Sequence, residues 1–242
     1  MSRKSPLLRP LYFARDWRSR GLFAALRRHC RGRVLDVGGW DFFLTARRKG
    51  VPFERWTTLE SDPRRLPEVD DARVEVVHGD GCRMDFADAS FDTVLSVQVL
   101  EHVFEPIRMV AEIGRVLKPG GRAILLVPQT STTHLAPDYH CNFSRWWIEE
   151  ALRRAGLEIV ERKPLGGVWS SAASHFLYFF LQSARAEGFS DPACRRNALF
   201  YVLWPFMALY AVASIPICLV LSLGDLAEEP NNHLVVARRR EG

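Results

Sequence analysis

Three acidic residues followed by turn-forming residues are the first candidates for chemistry in this 242-residue sequence. Asp36 precedes Gly38 and Gly39, while Glu60 and Asp80 are followed by a Ser-Asp-Pro turn and by a glycine. Glycine lets a backbone approach a ligand closely, and an acid at a strand end can accept hydrogen bonds from ribose hydroxyls. Each residue alone is a weak signal, because acids and glycines are common in ordinary turns. Their recurrence at successive strand ends indicates a nucleoside-like ligand.

Short apolar strands alternating with helices must position these acids. Helices are predicted at 41–49, near 105–117 and at 144–155. This alternation is typical of an α/β domain with a doubly wound, mostly parallel seven-stranded sheet covered on both faces. Ligands of such sheets bind beyond the carboxyl ends of the strands. The predicted strands are 33–37, 55–60, 73–78, 91–97, 122–127, 157–162 and 233–238.

The stretch DFADASFDTVLSVQVLEHVFEPIRMVAEIGRVLKPGGRAILLVP resembles the class I S-adenosylmethionine-dependent methyltransferases. It is similar to their small-molecule group, marked by SFD.V....VLEH and E..RVLKPGG, whose counterparts here run from Ser90 through Glu101-His102 and from Glu112 through Gly121. The resemblance covers about residues 33 to 163 and resumes at the last strand. It implies a Rossmann-like fold, S-adenosylmethionine as cofactor and methyl transfer as the activity.

The resemblance also implies which residues bind the cofactor. The acid and glycines after the first strand match the loop under the methionine part, and Glu60 matches the acid that binds the ribose. The third strand ends in the adenine-side turn, and the fourth ends near the sulfonium. The candidates are Asp36, Gly38, Gly39, Trp40, Glu60, Asp80, Gly81, Val97 and Gln98.

The first cofactor loop departs from the family pattern, in which glycines alternate with other residues. Here the positions are Gly38, Gly39, Trp40, Asp41 and Phe42. If position 40 needs a positive φ, tryptophan is costly there; if not, its indole could wall the pocket or pack on the cofactor. The alternative to an enzyme is a non-catalytic binding or scaffold protein that kept the fold. A nicotinamide-dependent oxidoreductase also fits an acid and a glycine turn, but the VLEH and LKPGG segments argue against it.

Histidines supply the catalytic candidates on the acceptor side. Methyl transfer requires alignment of the acceptor, and a base is needed only when the nucleophile arrives protonated. His134 and His140 lie in the segment after the fifth strand, and His102 belongs to the acid–histidine pair after the fourth. His134 and His140 are candidate general bases, and His102 is a third catalytic candidate, with a structural role as the alternative for each. No metal site is expected, because the histidines and cysteine of this segment lack obvious partners.

Charge and hydropathy indicate contact with a membrane. Residues 1–33 hold ten Lys or Arg and one acid, and residues 198–224 carry no charge. About 20 apolar residues can span a bilayer, but a single crossing would separate the last strand from its sheet. The apolar segment must therefore double back, lie in the interface or be buried. We expect monotopic or peripheral attachment at the cytoplasmic face, and a small-molecule, lipid or lipid-linked glycan acceptor; a buried subdomain or dimer surface is the alternative.

These observations divide the chain into four parts. They are a basic amphipathic segment (1–32), a methyltransferase core (33–166), a hydrophobic helical insert (167–230) and a final strand with a basic tail (231–242). No signal peptide is expected at the N-terminus, and five scattered cysteines without a CxxC pair indicate a reducing cytoplasm. Nucleic acid is not expected as a partner, because no recognition motif accompanies the basic charge.

Overall fold

The computed structural model describes residues 19–67, 69–135, 137–184 and 196–241. Residues 1–18 of the predicted basic segment lie outside this range. The strands are β1 Arg33–Val37, β2 Arg55–Glu60, β3 Val74–His78, β4 Phe91–Val97, β5 Leu117–Pro128, β6 Leu157–Leu165 and β7 Asn232–Arg239. The helices are α1 Arg20–His29, α2 Phe42–Arg48, α3 Pro106–Val116, α4 Arg145–Arg154, α5 Val168–Ser183 and α6 Ala198–Leu221, with 3-10 turns at Pro63–Arg65, Leu100–His102 and Ser222–Gly224.

The strands form a seven-stranded sheet in the order β3-β2-β1-β4-β5-β7-β6. The first five strands run parallel, and β7 is antiparallel to both of its neighbours. The predicted fold class is therefore confirmed. The fifth strand starts earlier than predicted, because Leu117 already pairs with Phe91 across a register shift. Helix α3 ends at Val116, and the Lys-Pro-Gly-Gly run lies within β5, with Gly120 at a φ of 74°.

Helices cover both faces of the sheet because successive strand residues point to opposite sides. Leu35 contributes to the core formed with α3 and α4, whereas Val34 contributes to the core formed with α1 and α2. Helix α1 buries Leu22, Phe23 and Leu26 in this second core. Its apolar face is therefore occupied by the domain, while its basic residues remain at the surface.

Helices α5 and α6 form an antiparallel hairpin between β6 and β7. The start of α5 is fixed to the end of α6, because Asp225 accepts hydrogen bonds from the amides of Trp169 (2.8 Å) and Ser170 (2.9 Å). At the other end, the indole of Trp204 donates to the hydroxyl of Ser183 at 2.9 Å. The chain therefore leaves and re-enters the sheet domain on the same side.

Candidate functional site

The glycine turns after β1 and β3 are both anchored on β2. The amide of Gly38 donates to the carbonyl of Leu59 at 2.7 Å, and the amide of Gly79 donates to the carbonyl of Glu60 at 3.0 Å. Since β1, β2 and β3 are parallel neighbours, their carboxyl ends lie along one edge of the sheet. The acids predicted at these three ends are therefore brought to the same edge.

The first loop requires glycine at both of its glycine positions. A Cβ on Gly38, whose φ is 69°, would lie 2.7 Å from a methyl group of Val99. A Cβ on Gly39 would lie 1.9 Å from Oδ2 of Asp36. Real Cβ atoms do not approach neighbours so closely, so the loop rests directly on the carboxylate and on Val99. Glycine at these positions would also let a ligand approach the loop backbone closely.

The carboxylate of Asp36 is buried beneath this loop without compensation. The residue is completely buried, and neither carboxylate oxygen has a hydrogen-bond partner within the described part of the chain. Burial, and to a smaller extent the nearby carboxylate of Glu60, raises the pKa of Asp36 well above its ordinary value. An uncompensated buried carboxylate is costly, and a cationic ligand at this edge would lower that cost.

Glu60 and Asp80 are prepared for a ligand in different ways. Oε1 of Glu60 accepts hydrogen bonds from the amides of Ser61 (3.0 Å) and Asp62 (3.3 Å), which fixes the buried side chain. Asp80 is exposed, and its Oδ1 accepts from the amide of Cys82 at 2.8 Å. A Cβ on Gly81 would lie 3.0 Å from Val37, so this turn packs against the end of β1.

Trp40 has the positive φ that, from the sequence alone, is expected to be costly for tryptophan in the first loop. Its φ is 45°, in the left-handed region that favours glycine. The residue is 51% exposed, so its indole does not fill the interior of the loop. The aromatic residue two positions later is accommodated by the core instead, where Phe42 stacks on Phe23 with ring centroids 6.0 Å apart.

The end of β4 also leaves regular geometry at the predicted positions. Val97 is the last strand residue, and Gln98 follows with a φ of 57°. The side-chain amide of Gln98 donates to Oδ1 of Asn232 at 2.8 Å, which ties this end to the start of β7. Strained backbone residues cluster at ligand-binding and active sites, so Gln98 is a candidate part of the site.

A cluster of titratable side chains lies beyond β4 and β5. One ligand atom from each of Glu101, His102 and His134 lies within 4.8 Å of the others. The rings of His102 and His134 meet edge to face with centroids 4.9 Å apart, and Tyr139 packs 4.8 Å from His134. We call these four residues the acceptor cluster. The sequence identified Glu101 only as part of a family motif and gave it no role in a site. Its proximity to His134 depends on the path of the loop after β5.

Burial shifts the pKa values of two members of the acceptor cluster. Glu101 is completely buried, and burial raises its pKa to about 7. Burial also lowers the pKa of His102, which favours the neutral imidazole. His140 lies apart from the cluster: it is exposed, and its ring packs against Phe104 at 5.6 Å. The structure therefore brings together two of the three predicted catalytic histidines.

A cleft of about 450 Å³ connects the loop after β5 with the helical hairpin. Ser131 lines this cleft, and its carbonyl accepts a hydrogen bond from the hydroxyl of Tyr139 at 3.1 Å. Across the cleft, the hydroxyls of Thr130 and Ser171 are 2.8 Å apart. The lining residues are Thr130, Ser131, Asn142, Val168, Ser171, His175 and Glu229.

Comparison with known proteins agrees with the fold. A family model described as a methyltransferase domain matches residues 35–125. A protein of Mycolicibacterium smegmatis named a probable S-adenosylmethionine-dependent methyltransferase is 30% identical over 154 residues, 58% of this chain and 58% of that protein. The chloroplastic 2-methyl-6-phytyl-1,4-hydroquinone methyltransferase of Arabidopsis thaliana is 30% identical over 176 residues, 67% of this chain and 51% of that protein.

A solved structure supports the same fold over nearly the whole chain. The S-adenosylmethionine-dependent methyltransferase of Mesorhizobium loti superposes with a TM-score of 0.55 at 16% identity, covering 92% of this chain and 98% of that one. The chain therefore has the class I S-adenosylmethionine-dependent methyltransferase fold, with a methyltransferase domain matched over residues 35–125. It spans little more than half the length of the two sequence relatives, 58% and 51%.

Proposed function

We propose that this protein is an S-adenosylmethionine-dependent methyltransferase that acts at a membrane surface on a hydroxyl group of a lipid or lipid-linked acceptor. The observation that carries the proposal is the cleft of about 450 Å³ that joins the loop of the acceptor cluster to an exposed apolar hairpin. The cofactor site supports the transferase, and the hairpin supports the class of acceptor.

The residues at the strand ends fit the cofactor of the family. Gly38 and Gly39 expose loop backbone over the uncompensated carboxylate of Asp36, which suits the cationic methionine part. Glu60 would accept hydrogen bonds from the ribose hydroxyls through its carboxylate, whose Oε1 is held by the amides of Ser61 and Asp62. When bound, S-adenosylmethionine supplies an activated methyl group, so the protein has mainly to align the acceptor.

The acceptor cluster is placed to receive a hydroxyl group. It lies beyond the carboxyl ends of β4 and β5, next to the end of β4 at Gln98. The acceptor oxygen must lose its proton during methyl transfer, and a neutral imidazole or a carboxylate can help to remove it. The cluster supplies both kinds of group, and the hydroxyl of Tyr139 binds the carbonyl of Ser131, which lines the cleft.

Helix α6 presents an apolar surface that the domain does not cover. The helical stretch Ala198–Gly224, which comprises α6 and the 3-10 turn after it, is long and apolar enough to cross a membrane, and only 17% of its most apolar window is buried. The largest exposures on its surface include Phe206 and Leu209, each at 70%. An exposed apolar surface of this length on a soluble protein marks an interaction with a membrane or a protein.

The lengths of the hairpin helices favour attachment in the membrane interface over a crossing. The 16 residues of α5 span about 24 Å at about 1.5 Å per residue, which is less than the hydrocarbon core of about 30 Å. Five charged residues lie between positions 185 and 196, in the sequence that connects the two helices. A hairpin perpendicular to the bilayer would have to move these charges through the hydrocarbon core. We therefore place the hairpin in the plane of the cytoplasmic leaflet, with the cleft facing the lipid.

The proposal is tested by incubating the protein with methyl-labelled S-adenosylmethionine and a membrane-lipid extract. The label is expected in an organic-soluble product, whose mass and fragmentation identify the methylated oxygen. Label that appears only in water-soluble metabolites would contradict a lipid acceptor, and no labelled product from any fraction would contradict the activity.

The role of the hairpin is tested separately with vesicles containing phosphatidylglycerol. Burial of one phenylalanine or leucine contributes about 1.5–3 kcal/mol, so the double variant Phe206→Glu/Leu209→Glu is expected to bind at least about tenfold more weakly. Trp146→Glu is the matched control, because Trp146 is 65% exposed but belongs to α4 and not to the hairpin. Equal vesicle binding by the double variant and the wild type would contradict attachment through α6.

A further inference from the structure

The two histidines of the acceptor cluster have one ring nitrogen fixed by the main chain. Nδ1 of His102 lies 2.5 Å from the carbonyl of Asp138, and Nδ1 of His134 lies 2.8 Å from the carbonyl of Thr132. A carbonyl only accepts hydrogen bonds, so in each ring Nδ1 is the donor. In a neutral ring Nε2 then carries the lone pair. A backbone carbonyl that holds the distal N–H is the common support of a histidine that binds a metal.

The carboxylate beside these rings lacks any hydrogen bond. Both oxygens of Glu101 are buried and have no partner within the described residues. Its Oε1 lies 3.9 Å from Nε2 of His102, too far for a hydrogen bond. A buried carboxylate in this position requires a proton, a donor from a ligand or a cation.

We propose that Glu101, His102 and His134 bind a divalent first-row transition metal ion, with zinc as the probe. Two imidazoles and one carboxylate suit such ions, and three protein ligands leave positions open for another oxygen. Ligand atoms that bind at about 2.1 Å are about 3.4 Å apart in a tetrahedral site. The observed separations of up to 4.8 Å therefore require side-chain movements of about 1 Å.

The metal ion gives the acceptor cluster a specific role, which rests on the proposed function: the three side chains hold the ion, and the ion replaces them as the group that promotes loss of the proton. A hydroxyl oxygen bound to the ion loses its proton more readily, as metal-bound water does. The O–H bond would break and its proton would pass to solvent. The electron pair kept by the oxygen would form the new C–O bond as the carbon–sulfur bond of the sulfonium breaks, releasing S-adenosylhomocysteine as the neutral thioether. The sequence did not predict this site, because Glu101 and His134 are separated by the whole of α3 and β5.

The binding experiment uses the full chain, stripped of metal, and needs neither cofactor nor lipid. Calorimetric titration with Zn²⁺ is expected to show one tight site, and Co²⁺ is expected to give the visible absorption of a nitrogen- and oxygen-ligated ion. Glu101→Gln and His134→Ala are each expected to weaken Zn²⁺ binding at least tenfold. The matched controls are Glu105→Gln and His78→Ala, at exposed residues that lie outside the cluster; both are expected to bind as the wild type does.

The outcomes separate this inference from the proposed function. Absence of Zn²⁺ binding by the wild type, or equal binding by the wild type and both cluster variants, would overturn the metal site. Circular dichroism and binding of S-adenosylhomocysteine show whether the variants remain folded; if a variant unfolds, Co²⁺ absorption of the wild type decides. A wild type that binds Zn²⁺ but methylates no lipid would overturn the proposed acceptor and leave the metal site intact.

Discussion

Replacing Trp40 by alanine and by glycine measures the strain in the first cofactor loop. Both variants remove the half-exposed indole, but only glycine removes the Cβ from a residue with a φ of 45°. A left-handed conformation costs a non-glycine residue about 1–2 kcal/mol, and the greater freedom of glycine in the unfolded chain offsets part of this gain. Trp40→Gly is therefore expected to be more stable than Trp40→Ala by about 1 kcal/mol.

The assay is urea unfolding of the ligand-free protein, supported by thermal unfolding. In a chain of this length, about 1 kcal/mol corresponds to a difference in Tm of about 2–4 °C. The same pair of substitutions at Trp146 is the control, because that tryptophan is 65% exposed in helix α4. There glycine is expected to be less stable than alanine by up to about 1 kcal/mol. The same order at position 40 as at position 146 would refute the positive φ and the strain argued from it.

Three further predictions concern the loop, its carboxylate and the hairpin. Gly39→Ala is expected to lower the unfolding free energy by about 1–3 kcal/mol and to abolish calorimetric binding of S-adenosylhomocysteine, because its Cβ would lie 1.9 Å from Asp36. Gly224→Ala, whose Cβ would meet nothing within 4 Å, should leave stability and binding unchanged. Normal binding by Gly39→Ala would contradict the loop geometry. The pKa of Asp36 is raised in the folded state, so its contribution to stability falls as pH rises from about 4 toward that higher pKa. The difference in unfolding free energy between wild type and Asp36→Asn, measured by urea unfolding, should therefore change across this range. A constant difference would contradict the buried carboxylate. Burial opposes ionisation of Asp225, but hydrogen bonds from the amides of Ser170 and Trp169 outweigh it and lower the pKa. Asp225→Ala is therefore expected to cost about 1–2 kcal/mol of unfolding free energy at pH 7, and less below about pH 4, where the wild-type carboxylate becomes protonated. An equal cost at both pH values would show that the charge does not hold the hairpin.

The sheet could be predicted from the sequence because its strands are short apolar runs bounded by turn residues. The strands at 33–37, 55–60 and 91–97 have the predicted bounds, and each ends at residues of the cofactor edge. Parallel neighbours share an edge by geometry, so acids at successive strand ends predict a common site. The family resemblance then supplied the identity of the ligand.

The acceptor side could not be predicted in the same way, because it depends on the path of a loop. The amide of His140 donates to the carbonyl of Glu101 at 2.8 Å, and His102 binds the carbonyl of Asp138. These contacts fold the loop back onto the end of β4 and bring His134 to Glu101, while His140 itself remains exposed. No periodicity or spacing in the sequence records such long-range hydrogen bonds.

The hairpin lies between these two cases. The charge-free run from 198 to 224 predicted an apolar helix, and the need to return β7 to its sheet limited its path. The contact that fixes the hairpin, between Asp225 and the amino end of α5, joins residues more than 50 positions apart and emerges only from the structure. The domain boundaries and the membrane attachment remain predictions.

Calorimetric titration with S-adenosylhomocysteine tests the central claim most directly, namely that the ends of β1, β2 and β3 form a cofactor site despite Trp40. The wild type is expected to bind one equivalent, and Glu60→Gln is expected to bind about 10–100-fold more weakly, because a hydrogen bond to a charged group contributes about 1.5–3 kcal/mol. Glu54→Gln, at the exposed opposite end of β2, should bind as the wild type does. No binding by the wild type, or equal affinity of wild type and Glu60→Gln, would contradict the account.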